Sequence, residues 1–412
     1  MNQWKKRLGV SLAHGFEYYD IAVYTAIQYY VAINFFPETA FGEHAGLFAW
    51  FPFILRFLAR PFGGFFVGAY ADRYGRRAAL IFTSALTGGA TLAMALLPTY
   101  DTVGLVAPCL FFIMQLLQAF CFGGENPAAM AYLLEDAKKN EQARIGGLLW
   151  GMPLVSIALS LSLIALVESF LSEAQMISYG WRIPVLIGVV NIAISYYFRI
   201  KLVESNKFSG SKKVGVDCLA AIQAFILYVP TTILFYGNSL ASKSLIAEFT
   251  TDDSLRTILP IVFNLVFFVA CCVLGLIIDR TIGCKKALTR IYPMVIVLGV
   301  PVYALQTIDH WLALTVSQLI IALFVATSVS ATPSVIFNQT SEKYRITTMG
   351  LGVNLGVVLV GAFMPMMVSI LSAYNQAYVG AMMSFGGLFY FLSFLFEKRF
   401  QQKKPSYIGV VE

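Results

Sequence analysis

Charged side chains are scarce in this sequence. Asp, Glu, Lys and Arg make up 12% of the 412 residues, whereas a soluble domain carries about 25%. Hydrophobic residues make up 58%, and long apolar stretches recur along the whole length. This composition excludes a soluble globular protein and indicates a helical protein that crosses a membrane several times. The formal net charge of +7 does not indicate a nucleic-acid partner, because the basic residues lie in short loops between apolar stretches.

Histidine and patterned cysteine are also lacking. The chain has three His residues, and its six Cys residues form no CxxC or Cys/His spacing. We therefore interpret the cysteines as small apolar side chains and predict no metal site. No Ser/His/Asp set and no phosphate-binding loop is recognisable. The sequence accordingly predicts neither an enzyme nor a bound cofactor.

The apolar stretches divide into twelve helices of membrane-spanning length. They are predicted at roughly 11–36, 46–70, 78–98, 104–134, 145–171, 180–202, 217–242, 255–279, 287–306, 310–338, 346–371 and 375–397. A polar, basic stretch lies between the sixth and the seventh. We predict an N-terminal six-helix half at 1–202, a linker at 203–216, a C-terminal six-helix half at 217–398 and a tail at 399–412.

Basic residues fall almost entirely on one side of this arrangement. Only Arg182, Lys243 and Arg256 are assigned to the other side. Short loops rich in Lys and Arg remain in the cytoplasm, so both termini are predicted to be cytoplasmic. An odd number of helices would scramble this division, which favours twelve.

The string at 68–77 carries the most specific pattern, Gly-x-x-x-Asp-Arg-x-Gly-Arg-Arg, and an echo follows at 275–286. The two strings resemble the signature loops of the major facilitator superfamily. This resemblance implies an all-α membrane fold of two pseudo-symmetric six-helix halves around a central site. The carboxylates and guanidiniums are expected to form bonds at helix ends that latch one conformation. The predicted latch residues are Gly68, Asp72, Arg73, Gly75, Arg76, Arg77, Asp279 and Arg280.

Further motifs, at 15–20, 60–64, 123–125 and 181–184, resemble those of the metabolite:proton symporter family. That family includes proline/betaine, citrate and α-ketoglutarate carriers, and usually has Trp where this chain has Tyr18. The resemblance implies proton-coupled uptake of a small polar metabolite by alternating access. The partners expected are that metabolite, a proton and the lipid bilayer. We expect a monomer in a bacterial inner membrane.

Ionisable residues inside a span are costly and indicate function. Glu17, Asp20, Arg56, Arg60 and Glu125 lie well inside predicted helices. Three acids against two bases leave one excess negative charge, which favours proton uptake. We predict that Glu17, Asp20 and Glu125 carry the proton, and that Glu17 and Asp20 share one as a coupled pair. The alternative is a static ion-pair network that fixes helix packing.

His14 lies one turn before Glu17 and is placed close to the cytoplasmic end. It is interpreted as an interface residue, with a proton relay as the alternative.

Arg56 and Arg60 lie four residues apart on one helix face and suggest a carboxylate-bearing substrate. Alternatively, Arg56 neutralises Asp20 or Glu17. Aromatic and amide side chains would complete the site from the C-terminal half, and aromatic faces also suit a quaternary ammonium. The predicted substrate-binding residues are Tyr18, Tyr24, Arg56, Arg60, Tyr228, Tyr236, Asn238, Gln318 and Asn354.

Three other functions stay open. An exporter of drugs or metabolites would often carry Gly-x-x-x-Gly-Pro-x-x-Gly-Gly in the fifth helix, which the segment 147–153 matches only in part. A carrier of a larger polycarboxylate, such as a citrate-type siderophore, would also use two arginines. A non-transporting sensor would usually add a soluble domain, and none is recognisable.

Overall fold

The computed structural model describes residues 3–42, 45–204, 215–239, 241–247, 249–250 and 252–403. Most of the predicted linker, at 205–214, and the tail from 404 to 412 lie outside these residues. His44 also lies outside them.

Twelve long helices run through the described residues, as the sequence predicts. They are α1 (Gln3–Phe35), α2 (Ala45–Tyr74), α3 (Arg76–Leu96), α4 (Val106–Glu135), α5 (Gln142–Phe170), α6 (Arg182–Ile200), α7 (Cys218–Ser239), α8 (Asp253–Arg280), α9 (Cys284–Ala304), α10 (Trp311–Gln339), α11 (Arg345–Gly356, π-helical Val357–Gly361 and Met364–Tyr374) and α12 (Gln376–Lys403). No strand occurs in this part of the chain. Among the described residues, ten helices are long and apolar enough to cross a membrane. The helices α1, which holds Glu17 and Asp20, and α2, which holds Arg56 and Arg60, complete the twelve.

Several helices extend beyond the apolar runs from which they were predicted. α1 begins at Gln3, eight residues before the predicted start, because Lys and Arg favour helix nearly as well as Leu. The extra turns are anchored where the Arg7 guanidinium donates to Glu141 Oε2 at 2.8 Å. The same bond lowers the pKa of the Glu141 carboxyl. α12 likewise continues to Lys403, past the predicted boundary at 398.

The two predicted signature loops lie at one end of the bundle. α2 and α8 each end in a tight turn at a glycine with positive φ, 107° at Gly75 and 76° at Gly283. We call this end of the bundle the signature end and the other the opposite end. Because successive helices alternate in direction, α1 starts and α12 finishes at the signature end.

Gly75 allows the segment after α6 to cap α3. Its positive φ leaves room for the Glu204 carboxylate, which accepts the backbone N–H groups of Arg76 and Arg77, each at 3.0 Å. A Cβ on Gly75 would lie 2.2 Å from Glu204 Oε2. Left-handed backbone also costs a non-glycine residue about 1–2 kcal/mol.

Gly75→Ala is therefore expected to lower the thermal unfolding midpoint of the detergent-solubilised protein. Gly89→Ala on α3 is the matched control, since a Cβ there would meet nothing within 4 Å and alanine favours helix. Equal midpoints for the two variants would show that the Gly75 turn does not need glycine.

Candidate functional site

Asp72 joins the two halves at the signature end. Its carboxylate, near the end of α2, accepts the backbone N–H groups of Ile346 and Thr347 at 3.1 and 2.9 Å. The Thr347 hydroxyl donates to it at 2.7 Å. Free N–H groups and the helix dipole make the first turn of a helix a favourable place for a carboxylate. A residue of the N-terminal half thus caps α11 of the C-terminal half.

Asp279 makes the equivalent contact in the opposite direction, from the C-terminal half to the N-terminal half. At the end of α8, its carboxylate accepts the backbone N–H groups of Ala143 and Arg144 on α5, each at 2.9 Å. The glycines one turn earlier let the helices approach: a Cβ on Gly68 or on Gly275 would lie 2.8 Å from the facing Cα atom, of Thr347 or Arg144. Each half therefore caps a helix of the other.

Glu135 adds an ionic link beside the first cap. Arg76 Nη2 donates to Glu135 Oε1 at 2.6 Å, and Arg345 Nη1 of α11 lies 3.9 Å from the same oxygen. Glu135 ends α4 and Arg345 begins α11. A carboxylate of the N-terminal half is therefore shared by arginines of both halves, a contact that the motif alone did not predict.

The other predicted latch residues have different surroundings. Arg73 lies over the Tyr74 ring, 5.3 Å from its centroid, and Arg77 Nη2 donates to the Ile200 carbonyl at 2.8 Å. Both contacts stay within the N-terminal half. Arg280 is exposed at the end of α8. The structure thus brings Gly68, Asp72 and Asp279 to the inter-half contact and leaves these three arginines beside it.

Close backbone contacts extend the closure inwards from the signature end. A Cβ on Gly64 would lie 2.6 Å from the Gly350 carbonyl oxygen. Asn354 Nδ2 donates to the Gly123 carbonyl at 2.6 Å, so Asn354 bridges α11 and α4 instead of facing the centre. These contacts leave no room between the halves on this side.

A cluster of aromatic rings fills the middle of the interface. We define the central aromatic box as Tyr18, Phe122 and Trp150 of the N-terminal half with Phe235 and Tyr236 of the C-terminal half. The Tyr18 ring lies 5.3 Å from Phe122 and 5.8 Å from Trp150, and Trp150 lies 5.1 Å from Phe235. The Tyr18 and Tyr236 hydroxyls are 3.4 Å apart. Tyr228 joins this group, with its ring 6.0 Å from Trp150.

Arg60 places a positive charge against the box. Its guanidinium lies over the Phe57 and Phe122 rings, 4.5 and 4.4 Å from their centroids, and Nη1 donates to the Tyr236 hydroxyl at 3.1 Å. Nε and Nη2 are buried and have no partner among the described residues. Unsatisfied buried donors are costly, and Arg60 has two of them beside the box.

A cavity of about 170 Å³ lies between the halves. We call it the interface cavity, and it is lined by Ala22, Thr25, Ala26, Ile157, Leu161, Ser239 and Ser242. Ala22 and Ser239 follow Tyr18 and Phe235 by one helical turn in the direction of the opposite end. The box is therefore adjoined by open space on that side and sealed on the signature side.

An ionic cluster lies inside the N-terminal half. It consists of Glu17, Glu125 and Arg199, from α1, α4 and α6. Arg199 Nη2 contacts Glu125 Oε1 and lies 3.4 Å from Glu17 Oε1. The Thr83 hydroxyl donates to the other Glu125 oxygen at 2.9 Å. The cluster is fully enclosed, since Arg199 is 1% exposed.

Arg199 overturns the predicted charge balance. The sequence assigned it to the basic side because it lies in the last turn of α6, but its long side chain reaches back into the bundle. With Arg199, the acids Glu17, Asp20 and Glu125 are matched by three bases instead of two, and the expected excess negative charge is wrong. A signal was available: Asn191, Ser195 and Arg199 recur every four residues, and all three are buried.

Asp20 and Arg56 form a separate polar group. Thr91 Oγ1 and Gln118 Nε2 donate to Asp20 Oδ2 at 3.0 and 3.4 Å. Arg56 lines a small cavity with Asp20 and Glu17, and its buried Nε and Nη1 have no partner among the described residues. Arg56 thus lies in one cavity wall with Asp20 and Glu17, whereas Arg60 faces the box. Glu17 and Asp20 share that cavity but have different hydrogen-bond partners.

The remaining predicted substrate residues lie away from the box. Tyr24 packs on Phe111, with ring centroids 5.9 Å apart. Asn238 accepts the Tyr303 hydroxyl at 2.6 Å within the C-terminal half, and Gln318 is buried in the second turn of α10. Of the nine predicted residues, the structure therefore gathers Tyr18, Arg60, Tyr228 and Tyr236.

His14 belongs to the centre, which corrects its predicted position near the cytoplasmic end. Its ring is fully buried, stacks on Phe122 at 5.9 Å and lies 5.6 Å from Trp150. Both ring nitrogens lack partners among the described residues. The prediction failed because α1 begins at Gln3 and not at 11, which moves His14 three turns into the bundle.

The C-terminal half has a neutral counterpart of the ionic cluster. The Thr231 hydroxyl lies 2.8 Å from the Ser328 hydroxyl and 2.8 Å from the Thr332 hydroxyl. The Tyr292 hydroxyl lies 2.6 Å from that of Ser328. Thr332 is 207 residues after Glu125, the same offset that separates Asp72 from Asp279. Equivalent helices thus hold ionisable groups in one half and hydroxyls in the other.

Two six-helix halves that cap each other's helices around the central aromatic box are the architecture of a multi-pass membrane transporter. A family model described as Major Facilitator Superfamily matches residues 21–353. The chain belongs to this superfamily, as its motifs predicted, and the superfamily is one of transporters and not of enzymes.

Curated relatives are bacterial. A putative proline/betaine transporter of Staphylococcus haemolyticus (strain JCSC1435) is 27% identical over 381 residues, which cover 88% of this chain and 80% of that protein. The proline/betaine transporter of Escherichia coli (strain K12) is 32% identical over 198 residues, 48% of this chain and 39% of that protein.

Solved structures share the fold at low identity. The proton:xylose symporter XylE bound to 6-bromo-6-deoxy-D-glucose superposes with a TM-score of 0.80 at 14% identity, covering 97% of this chain and 95% of that one. The human organic anion transporter MFSD10 gives 0.64 at 13% identity, covering 96% and 99%. These likenesses confirm the twelve-helix architecture.

Proposed function

We propose that this protein is a secondary active transporter that couples proton uptake to the import of a small carboxylate-bearing metabolite. Zwitterions such as proline and betaines are the first candidates. The observation that carries this proposal is the Arg60 guanidinium, which is buried at the inter-half box with Nε and Nη2 unpaired.

The box offers complementary chemistry for a zwitterion. A substrate carboxylate would accept from the free Arg60 donors, and a charge-assisted pair of this kind is among the stronger hydrogen bonds. The faces of Trp150 and Tyr228 could hold an ammonium group by cation–π attraction. The names of the curated relatives agree with such a ligand.

The size of the open space favours a small ligand. The interface cavity measures about 170 Å³, whereas pockets for drug-sized molecules span roughly 300–1,000 Å³. A citrate-type siderophore or a drug would require the halves to separate further. Arg56, the second arginine that a polycarboxylate would use, lines the cavity beside Asp20 and Glu17.

Proton coupling is assigned to the N-terminal half. Glu17, Asp20 and Glu125 are the acids deep inside its helices, and the equivalent C-terminal cluster is made of hydroxyls. Protonating an acid releases its basic partner and thereby changes the electrostatic balance near Arg60. Such a change biases transport only through different proton affinities in the two conformations.

The closed signature end supports a mechanism of alternating access. We assign that end to the cytoplasm because the basic loops lie there, so this arrangement faces outward. Inward opening would break the caps at Asp72 and Asp279, while the halves at 1–202 and 217–398 rock about the box. One chain contains the complete site, so we propose a monomer in a bacterial inner membrane.

The first test is thermal stabilisation of the purified protein by glycine betaine, proline, succinate and citrate, because selective binding raises stability by mass action. We expect glycine betaine or proline to raise the unfolding midpoint. Arg60→Gln should weaken that ligand by about 2 kcal/mol, which corresponds to roughly 30-fold in Kd. Arg182→Gln is the matched control, since Arg182 binds backbone carbonyls at Ala95 and Leu97 away from the box.

The outcomes separate the candidate ligands. A shift with citrate that both Arg56→Gln and Arg60→Gln abolish would favour the polycarboxylate carrier instead. Unchanged affinity in Arg60→Gln would remove Arg60 from the site and refute the proposal in its present form.

A further inference from the structure

Two small cavities lie inside the N-terminal half, apart from the interface cavity. The first measures about 20 Å³ and is bounded by α1, α3, α4 and α6. Asp20 lies in its wall, together with Val23, Tyr24, Ile27, Thr91, Met94, Phe111, Gln115, Gln118, Trp181 and Val185. The second measures about 10 Å³ and has Asp20, Glu17 and Arg56 in its wall. We call the pair the N-half cavities.

The first cavity extends towards the opposite end of the bundle. Met94 lies in the last turn of α3, Phe111 in the second turn of α4, and Trp181 directly before α6. All three positions are near the opposite end. The N-half cavities therefore lie one after the other, from near that end, past Asp20, to Glu17 of the ionic cluster.

Hydrogen-bonding side chains line the N-half cavities. Gln118 Nε2 donates to Thr91 Oγ1 at 2.7 Å. The single Thr91 hydroxyl proton has two acceptors, Asp20 Oδ2 and the Thr87 carbonyl, each at 3.0 Å. Gln115 Oε1, closer to the opposite end, is buried without a partner among the described residues. Glu17 Oε2 is buried and unpaired in the same way. A water molecule beside each would complete a hydrogen-bonded chain.

Size separates the N-half cavities from the interface cavity. A volume of about 20 Å³ admits roughly one water molecule and no metabolite, whereas the interface cavity is several times larger. α1 stands between them. Its Val23 and Tyr24 face the N-half cavities, and its Thr25 and Ala26 face the interface cavity.

We propose that protons reach Asp20 and Glu17 from the opposite end by a route inside the N-terminal half, separate from the substrate's route between the halves. The inference rests on the proposed proton coupling. A hydronium at the outer side gives up a proton, which passes along water and the Thr91 hydroxyl to the Asp20 carboxylate and then to Glu17. The substrate can then occupy the box without blocking the proton.

Several groups surround Asp20 and set its charge. Arg56 on α2 and Glu17 on α1 line the same small cavity, and the Tyr19 hydroxyl donates to the Pro184 carbonyl nearby. α3 and α4 contribute the neutral Thr91 and Gln118. α6 presents Gly188, where a Cβ would lie 2.5 Å from Asp20 Oδ1.

The test needs no substrate. Infrared spectra of the purified protein at acidic pH contain carboxyl bands, and the band lost in Asp20→Asn belongs to Asp20. Perfusion with D₂O shifts that band as its proton exchanges. We expect Thr91→Val to slow the exchange about tenfold or more, because it removes a hydroxyl from the hydrogen-bonded chain. Gln115→Leu should slow it as well, which provides a second variant should the first not fold.

Thr25→Val is the matched control. The Thr25 hydroxyl donates to the Ile21 carbonyl one turn earlier at 2.8 Å, as the Thr91 hydroxyl can to the Thr87 carbonyl, but Thr25 lines the interface cavity. Exchange at the wild-type rate in this variant would support the separate route. Slowing by Thr25→Val, together with wild-type exchange in Thr91→Val and Gln115→Leu, would show that protons use the interface cavity and overturn the inference. Absence of a band specific to Asp20 would overturn it too.

The result is independent of the ligand panel. If no tested compound stabilises the protein but Thr91→Val slows exchange, the substrate assignment fails and the proton route stands. If a zwitterion binds and exchange is unaffected, the reverse holds.

Discussion

Replacing Arg199 by methionine is expected to destabilise the protein by about 3–5 kcal/mol, because it leaves buried carboxylates without their partner. Arg199 contacts both Glu125 and Glu17 and is 1% exposed. Methionine approximates the length of the arginine stem but carries no charge. Thermal unfolding of the detergent-solubilised protein at neutral pH measures the loss.

The double variant Glu125→Gln, Arg199→Met identifies the cause. Removing both charges of a buried pair is often nearly neutral, whereas removing one is costly. We therefore expect the double variant to recover most of the lost stability. A single Arg199→Met protein as stable as wild type would show that the ionic cluster does not stabilise the fold. A double variant less stable than either single variant would show that Arg199→Met lowers stability through lost packing and not through an unpaired charge.

Removing both inter-half caps is expected to open the signature end. Asp72→Ala and Asp279→Ala each release two backbone N–H groups of a helix in the other half. Each loss should cost the closed conformation about 2 kcal/mol, or roughly 30-fold in the equilibrium with the open one. The distance between spin labels at Lys139 and Lys343, exposed positions on the two halves, measures the change.

Asp252→Ala is the matched control for the caps. Asp252 accepts the Ser254 and Leu255 N–H groups at 2.8 and 3.4 Å, but it caps a helix of its own half at the opposite end. We expect a longer label distance in the double cap variant and no change in Asp252→Ala, after the exposed Cys109 and Cys218 are replaced by serine. An unchanged distance in the double variant would remove both aspartates from the latch.

The contrast between the halves suggests a division of roles. The N-terminal half holds the buried carboxylates and the N-half cavities, whereas the equivalent C-terminal position holds the Thr231, Ser328 and Thr332 hydroxyls. The C-terminal half contributes Tyr236 to the central aromatic box and the α11 N-terminus to the cap at Asp72. Under the proposed proton coupling, a proton bound in the N-terminal half would affect the C-terminal half through the central aromatic box, which both halves share.

The sequence by itself determined the number of helices, their division into two halves and the superfamily. These features depend on apolar runs long enough to cross a bilayer and on local strings of glycine and charge, which can be read without knowing any contact. It also located Glu17, Asp20 and Glu125 inside spans, because few charges interrupt those runs.

The tertiary structure alone decided what the charges contact. Arg199 lies near the end of its helix, yet the length and flexibility of an arginine side chain let it reach Glu17 and Glu125 across the bundle. Arg56 and Arg60 are predicted on one helical face. In the structure, Arg56 lies beside the acids Asp20 and Glu17, whereas Arg60 lies against the central aromatic box. Such partners come from helices far apart in the chain, and their positions follow from packing that no local pattern specifies.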